Sequence, residues 1–203
     1  MNIAELIEKI KVHTGHGLNF NRRRTKIDKS AVWHKTLIII EFVLVIAFAW
    51  FITYSLCNKY TVMDHSMEDT LSYGDNVLAD IMIYKVKSPS GNDVIAFYAS
   101  DNVHSDIQIK RVIGVPGDTV LISRGLVYVN GEEYKDTIIA DSIEYAGLAD
   151  EEIVLSEDEY FVLGDNRNNS QDSRYQSTGI VTRDEIVGKI WIDISSDNFR
   201  LVY

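Results

Sequence analysis

Residues 127–134 read Val-Tyr-Val-Asn-Gly-Glu-Glu-Tyr. A strand-like run ends at Asn130-Gly131 and another begins after it. That dipeptide predicts a tight antiparallel hairpin, because a primed two-residue turn needs positive φ at both central positions. Working outward, the same pattern repeats. Residues 77–84, 94–98, 107–115, 119–122, 126–129, 160–163 and 186–194 are short runs rich in apolar, β-branched and aromatic residues. Turn-forming stretches separate them: Ser-Pro-Ser-Gly-Asn at 88–92, Val-Pro-Gly-Asp at 115–118 and Gly-Asp-Asn-Arg-Asn-Asn at 164–169. The reading is a mainly β domain over residues 58–203, with no long amphipathic helix after residue 57. Residues 136–158 are acidic and irregular and read as a surface loop or a small subdomain.

Upstream the pattern changes. Residues 37–57 are almost wholly apolar, with Glu41 as the one charge. About 20 apolar residues cross the hydrocarbon core of a bilayer, and this run is apolar on every side, unlike a soluble core helix. Arg22, Arg23, Arg24, Lys26, Lys29 and Lys35 crowd its N-terminal side, while Asp64, Glu68 and Asp69 lie soon after its end. The positive-inside rule places the N-terminus in the cytoplasm and the β domain outside. The run is too long for a cleaved signal peptide and no clear A-x-A site follows, so it reads as an uncleaved anchor. The expected division is a cytoplasmic segment 1–35, a transmembrane anchor 36–57 and an extracytoplasmic domain 58–203. Ile3, Leu6, Ile7 and Ile10 have the spacing of one face of a short surface helix.

The 203 residues carry 46% hydrophobic side chains, enough for a true core, and a net charge of −10 that argues against nucleic acid as a partner. The single cysteine, Cys57, permits no internal disulfide and reads as an interfacial side chain.

Three segments of the β domain carry chemistry: Asp-His-Ser-Met-Glu-Asp-Thr-Leu at 64–71, Lys-Arg-Val-Ile-Gly-Val-Pro-Gly-Asp at 110–118, and Gly-Asp-Asn-Arg-Asn-Asn-Ser-Gln-Asp-Ser-Arg at 164–174. Taken singly, each is an ordinary turn or strand. Together, in this order behind a membrane anchor, they resemble the type I signal peptidases, in the short form found in Gram-positive bacteria. The second segment fits the family's lysine box without exception, and the third fits its C-terminal box closely.

The resemblance implies a signal-peptidase-like β catalytic domain behind one transmembrane helix. It also implies roles. Ser66 would be the nucleophile and Lys110 the general base. Ser170 would hold the lysine, and Met67 would help shape the substrate pocket. Asp172 and Arg174 would form a structural ion pair, with Asp165 and Asn166 structural elements beside it. The implied partners are preprotein signal peptides, membrane lipid and the translocation machinery. The implied cut follows small residues of the A-x-A type. No metal cluster is visible and no cofactor is expected.

The chemistry agrees with these roles. A serine hydroxyl needs an adjacent base. His13, His16 and His34 fall before or at the anchor, His65 adjoins Ser66 and should point elsewhere, and His104 sits in a loop at 101–106. A lysine base must lose its charge, against a free pKa of about 10.4, and burial in an apolar wall favours that loss. Ile107, Ile109, Val112, Ile113 and Val115 supply such a wall. The expectation is a buried, neutral Lys110 bonded to Ser66 and Ser170.

Two positions depart from the family pattern. Asp64 stands where some members have a serine whose hydroxyl helps bind the oxyanion; an ionised carboxylate can only accept, so Asp64 is expected to point away. Asp69 stands where proline is common, and Asp69→Pro is expected to leave activity on a general substrate equal or better. Two other readings compete. One is a self-cleaving repressor-type serine–lysine protease, against which the anchor argues. The other is a non-catalytic or substrate-dedicated assembly factor for surface proteins, against which retention of both Ser66 and Lys110 argues.

Overall fold

The computed structural model describes residues 3–5, 7, 29–99, 106–135, 142–195 and 199–203. The Leu6 and Ile10 part of the N-terminal helix pattern, the arginine cluster 22–24 with Lys26, the His104 loop, and residues 136–141 of the acidic stretch lie outside them. The chain forms two compact units, Met1–Ile46 and Ala47–Tyr203.

Helix α1 spans Lys29–Leu56. Its stretch Val32–Leu56 is long and apolar enough to cross a membrane, and it is exposed as far as Tyr54, with Ser55 buried at its end. Its threonines are satisfied without solvent: Thr36 and Thr53 donate their hydroxyls to Val32 O and Ala49 O, each at 2.9 Å. A segment facing hydrocarbon must satisfy its polar groups internally in this way. The helix closes at Asn58, whose amide donates to Tyr54 O at 2.7 Å.

The second unit is built of antiparallel strands. They are β1 (Asn58–Thr61), β2 (Asn76–Asp80), β3 (Val94–Tyr98), β4 (Ile107–Gly114), β5 (Thr119–Ser123), β6 (Leu126–Val129), β7 (Glu132–Glu133), β8 (Ile153–Val154), β9 (Glu159–Leu163), β10 (Val181–Thr182), β11 (Ile186–Asp193) and β12 (Arg200–Leu201). The larger sheet runs β1-β2-β11-β3-β4-β9-β10, with β12 on β11, and the smaller runs β7-β6-β5-β8.

The Asn130-Gly131 hairpin forms as its sequence dictates. Val129 pairs with Glu132, and the two turn residues take φ of 55° and 77°. A second turn of the same kind, Arg124-Gly125 between Ser123 and Leu126, has φ of 54° and 79° and carries no such clear sequence signal.

The expected strand 77–84 is shorter. Asp80 accepts the N–H groups of Met82 at 2.9 Å and Ile83 at 3.0 Å, which ends β2 and starts a single helical turn, α2 (Ile83–Val86). An Asp side chain that satisfies the first free donors of a turn competes with strand pairing in this way. The acidic stretch is not merely surface loop. Ile143, Ala149 and Leu155 are buried with Val120, Ile122 and Val127 in the core of the smaller sheet.

Strand β4 lies between β3 and β9 and is buried through most of its length. One cluster, including Val62, Met67, Leu71, Val94 and Ile109, packs the 62–75 loop to β3 and β4. This packing fixes the loop that carries Ser66 beside the strand that carries Lys110.

Candidate active site

Ser66 sits in the tight bends between β1 and β2, where Thr70 and Leu71 donate backbone N–H bonds to Met67 O at 3.0 and 2.6 Å. The chain can turn there because Asp69 adopts φ of +77°. This geometry overturns the expectation for Asp69→Pro. A proline ring locks φ near −65°, so it cannot occupy this site without rebuilding the loop.

The loop is tied to the segment after β9. The backbone N–H of Asn166 donates to Ser66 O at 2.8 Å, and its side-chain amide donates to His65 O at 3.2 Å and Glu68 Oε2 at 3.3 Å. Gly164 packs on the same carbonyl: a Cβ there would sit 2.6 Å from Ser66 O and would overlap Ser170 Oγ.

Two fully buried ion pairs brace this framework. Arg111 grips Asp165 through two bonds, Nε to Oδ1 at 2.8 Å and Nη2 to Oδ2 at 2.6 Å, while Thr70 donates its hydroxyl to the same carboxylate at 2.5 Å. Arg174 grips Asp172 likewise at 2.7 and 2.8 Å, and Asp172 also accepts Gly164 N–H at 3.1 Å. Forked guanidinium–carboxylate pairs fix direction as well as distance.

Lys110 is fully buried, and its Nζ lies 2.7 Å from Ser66 Oγ, as donor in this structure. Asp64 does not point away. Its Oδ2 accepts Lys110 Nζ at 3.0 Å, and its Oδ1 accepts the Ser66 hydroxyl at 2.7 Å and the Ser66 backbone N–H at 3.1 Å. The reason is pairing: a buried amine and a free N–H both demand an acceptor, and Asp64 supplies one from a half-exposed position. Burial pushes the Asp64 carboxyl up. The Lys110 charge and the hydrogen bonds from Ser66 and Lys110 outweigh that and hold it below the usual carboxylate range.

Ser170 does not bond Lys110. Its Oγ is buried and makes no hydrogen bond, as is true of Gln108 Oε1, and both residues line the open cleft in front of Ser66. Met67 is wholly buried in the core and presents no surface to that cleft, which Met63, Asn168, Asn169, Gln171 and Tyr175 also line. Gln108 was legible in principle: it stands two residues before Lys110 on one strand, and alternate residues share a face. His65 also borders the cleft, with its ring bonded to Glu68 at 2.5 Å and stacked on Tyr73.

The family model "Signal peptidase, peptidase S26" matches residues 35–194. The chain is 38% identical over 134 residues to a probable signal peptidase I-2 of Synechocystis sp., covering 63% of this chain and 58% of that protein's length. It is 32% identical over 171 residues to signal peptidase IB of Staphylococcus aureus, covering 75% of this chain and 87% of that one. A solved signal peptidase I from Enterococcus faecalis overlaps 51% of this chain and 97% of its own, at 30% identity and a TM-score of 0.40.

Proposed function

The chain belongs to the signal peptidase family, peptidase S26, and on that premise we propose that it is a membrane-anchored serine endopeptidase that removes signal peptides with a Ser66–Lys110 dyad. The observation that carries the reading is the 2.7 Å separation of Lys110 Nζ and Ser66 Oγ inside a wall that leaves the lysine no exposed surface.

In this reading Ser66 Oγ attacks the scissile carbonyl and its proton passes to Lys110 Nζ. The developing oxyanion takes the Ser66 N–H. The tetrahedral intermediate collapses, the C–N bond breaks, and Lys110 returns the proton to the departing amine. A water then gives its proton to Lys110 and attacks the acyl ester, which releases the acid and restores Ser66 Oγ–H. Preorganised donors aimed at the developing charge contribute the larger part of such catalysis. The bond from the Asn166 side-chain amide to His65 O supports this reading, because that carbonyl and the Ser66 N–H share one peptide unit.

The substrate would lie extended in the cleft between Met63 and Tyr175, along the wall that Gln108, Asn168 and Asn169 help to form. Small residues before the cut suit a cleft whose floor is filled by packed core. Segment 1–35 would be cytoplasmic, 36–57 the anchor and 58–203 extracytoplasmic, which puts the cleft on the side where translocated preproteins emerge. Preproteins, membrane lipid and the translocation machinery would be its partners.

The test is incubation of the full chain in detergent or vesicles with a preprotein ending its signal in A-x-A, beside Ser66→Ala and Lys110→Ala. Wild type should cleave, and both variants should lose at least a thousandfold in kcat/KM. Cleavage that survives both substitutions refutes the dyad. Inert wild type favours the assembly-factor reading.

A further inference from the structure

We propose that Asp64 is a self-occupying carboxylate. It fills the position that the substrate's oxyanion must take, so the resting site is closed by its own chain and opens when Asp64 leaves. The proposal rests on the serine–lysine reading above and adds a residue to it.

Three bonds carry the inference. Asp64 Oδ1 takes the Ser66 N–H at 3.1 Å, the donor the oxyanion needs. The same oxygen takes the Ser66 hydroxyl proton at 2.7 Å, the proton the base must remove. Oδ2 takes Lys110 Nζ at 3.0 Å, the base itself. One carboxylate therefore engages every group the first chemical step requires. A substrate carbonyl oxygen and Oδ1 cannot both hold one N–H, and a second negative charge developing beside the first raises the barrier.

The polarity of the bonds is also wrong for attack. Lys110 donates to Ser66 Oγ, and Ser66 donates to Asp64. Attack requires Ser66 to donate to a free amine lone pair on Lys110. Removing the carboxylate lets the hydroxyl turn back toward Nζ.

The device can open without disturbing the core. The Asp64 side chain is 49% exposed at the rim of the cleft, while Lys110 behind it has no exposure. Rotation into water trades its three bonds for solvation. His65, the neighbouring titratable group on the same loop, is turned toward Glu68 and Tyr73 and does not reach Asp64.

The experiment compares wild type with Asp64→Ser and Asp64→Asn on a preprotein and on a peptide aldehyde. The aldehyde forms a tetrahedral adduct: Ser66 Oγ bonds the aldehyde carbon, and the serine proton moves through Lys110 to the new hydroxyl. The matching peptide alcohol, which forms no adduct, is the ground-state control. Both variants should raise kcat/KM at least tenfold, with most of the gain in kcat. The aldehyde should bind each variant at least tenfold tighter than wild type, and the alcohol should bind all three alike. A cleaving wild type with both variants at or below its kcat/KM overturns the proposal and assigns Asp64 a supporting role instead. An aldehyde gain matched by the alcohol also overturns it, since that marks a general effect on binding. Inert wild type with active variants supports it. If all three proteins are inert, the peptidase reading falls, and the proposal with it.

Discussion

At the scale of single residues, Asp69 and Ser170 show how a backbone angle or a missing partner outweighs a sequence pattern. Asp69 at φ +77° occupies the region that glycine enters freely and aspartate tolerates. Asp69→Gly should leave the thermal midpoint within a few degrees. Asp69→Pro should destabilise the domain by about 2 kcal/mol or more and lower activity with it. Thermal unfolding of the two variants checks this, and a stable, active Asp69→Pro would show that the loop has a second conformation. Ser170 Oγ is buried without a partner, so Ser170→Ala removes no bond and relieves a desolvated hydroxyl. Its stability should be unchanged or slightly higher. A loss of 2 kcal/mol or more in chemical denaturation would show that the hydroxyl is bonded after all.

At the scale of elements, the segment 164–174 acts as a brace. Asp165 joins β4 to the loop that carries Ser66 through Arg111 and Thr70, and its pair with Arg111 is fully buried. Removing one partner of such a pair leaves an uncompensated buried charge, at a cost of about 3–5 kcal/mol. Asp165→Ala should therefore unfold early, and Asp165→Asn should fall between it and wild type. Gly164→Ala is a sharper probe, because its methyl would press on Ser66 O while leaving the ion pairs formed. It should cut kcat at least tenfold, as displacements near 1 Å can cost a hundredfold, with a smaller effect on stability. Circular dichroism with steady-state kinetics separates the two effects.

The same elements show what could be read from residues alone. Alternation and turn chemistry defined β3 to β6 and β9 to within a residue, since those strands are bounded by Gly, Pro, Asn and Asp. The short strands β7, β8, β10 and β12 have two residues each, too few to show a period, and they exist only through pairing with longer neighbours. In the candidate site, the motif resemblance, and not residue types taken singly, pointed to Ser66, Lys110 and the Asp172–Arg174 pair, and the structure sets Lys110 Nζ 2.7 Å from Ser66 Oγ and pairs Arg174 with Asp172. Neither could give the direction of Asp64, the isolation of Ser170 or the burial of Met67. Those depend on what each side chain meets across the fold, and local spacing carries no such information.

At the scale of the molecule, three carboxyls tie stability to acid. Asp64, Asp93 and Asp193 are each pushed up by burial and pulled down further by their bonds, so all lie below the ordinary value. Asp93 receives Lys189, Ser90 and Tyr84, and Asp193 receives Ser195 and Arg200. Groups with depressed folded values contribute stability that is fully present above the unfolded pKa of about 3.9 and is lost as pH falls through the folded value. The denaturation midpoint should hold level between pH 7 and about 5 and fall steeply below 4. In Asp93→Asn the fall should be shallower. A midpoint that rises on acidification would contradict this account.

The central claim is that Ser66 is made nucleophilic by Lys110. Intact-protein and peptide-level mass spectrometry after incubation with a slowly deacylating peptide ester tests it most directly. The account predicts one acyl adduct on the peptide that contains Ser66, absent in Ser66→Ala and lost in Lys110→Ala, with Asp165 and Asp172 unsubstituted so that the fold is held constant. An adduct on any other residue, or full acylation of Ser66 in the folded Lys110→Ala protein, would contradict it.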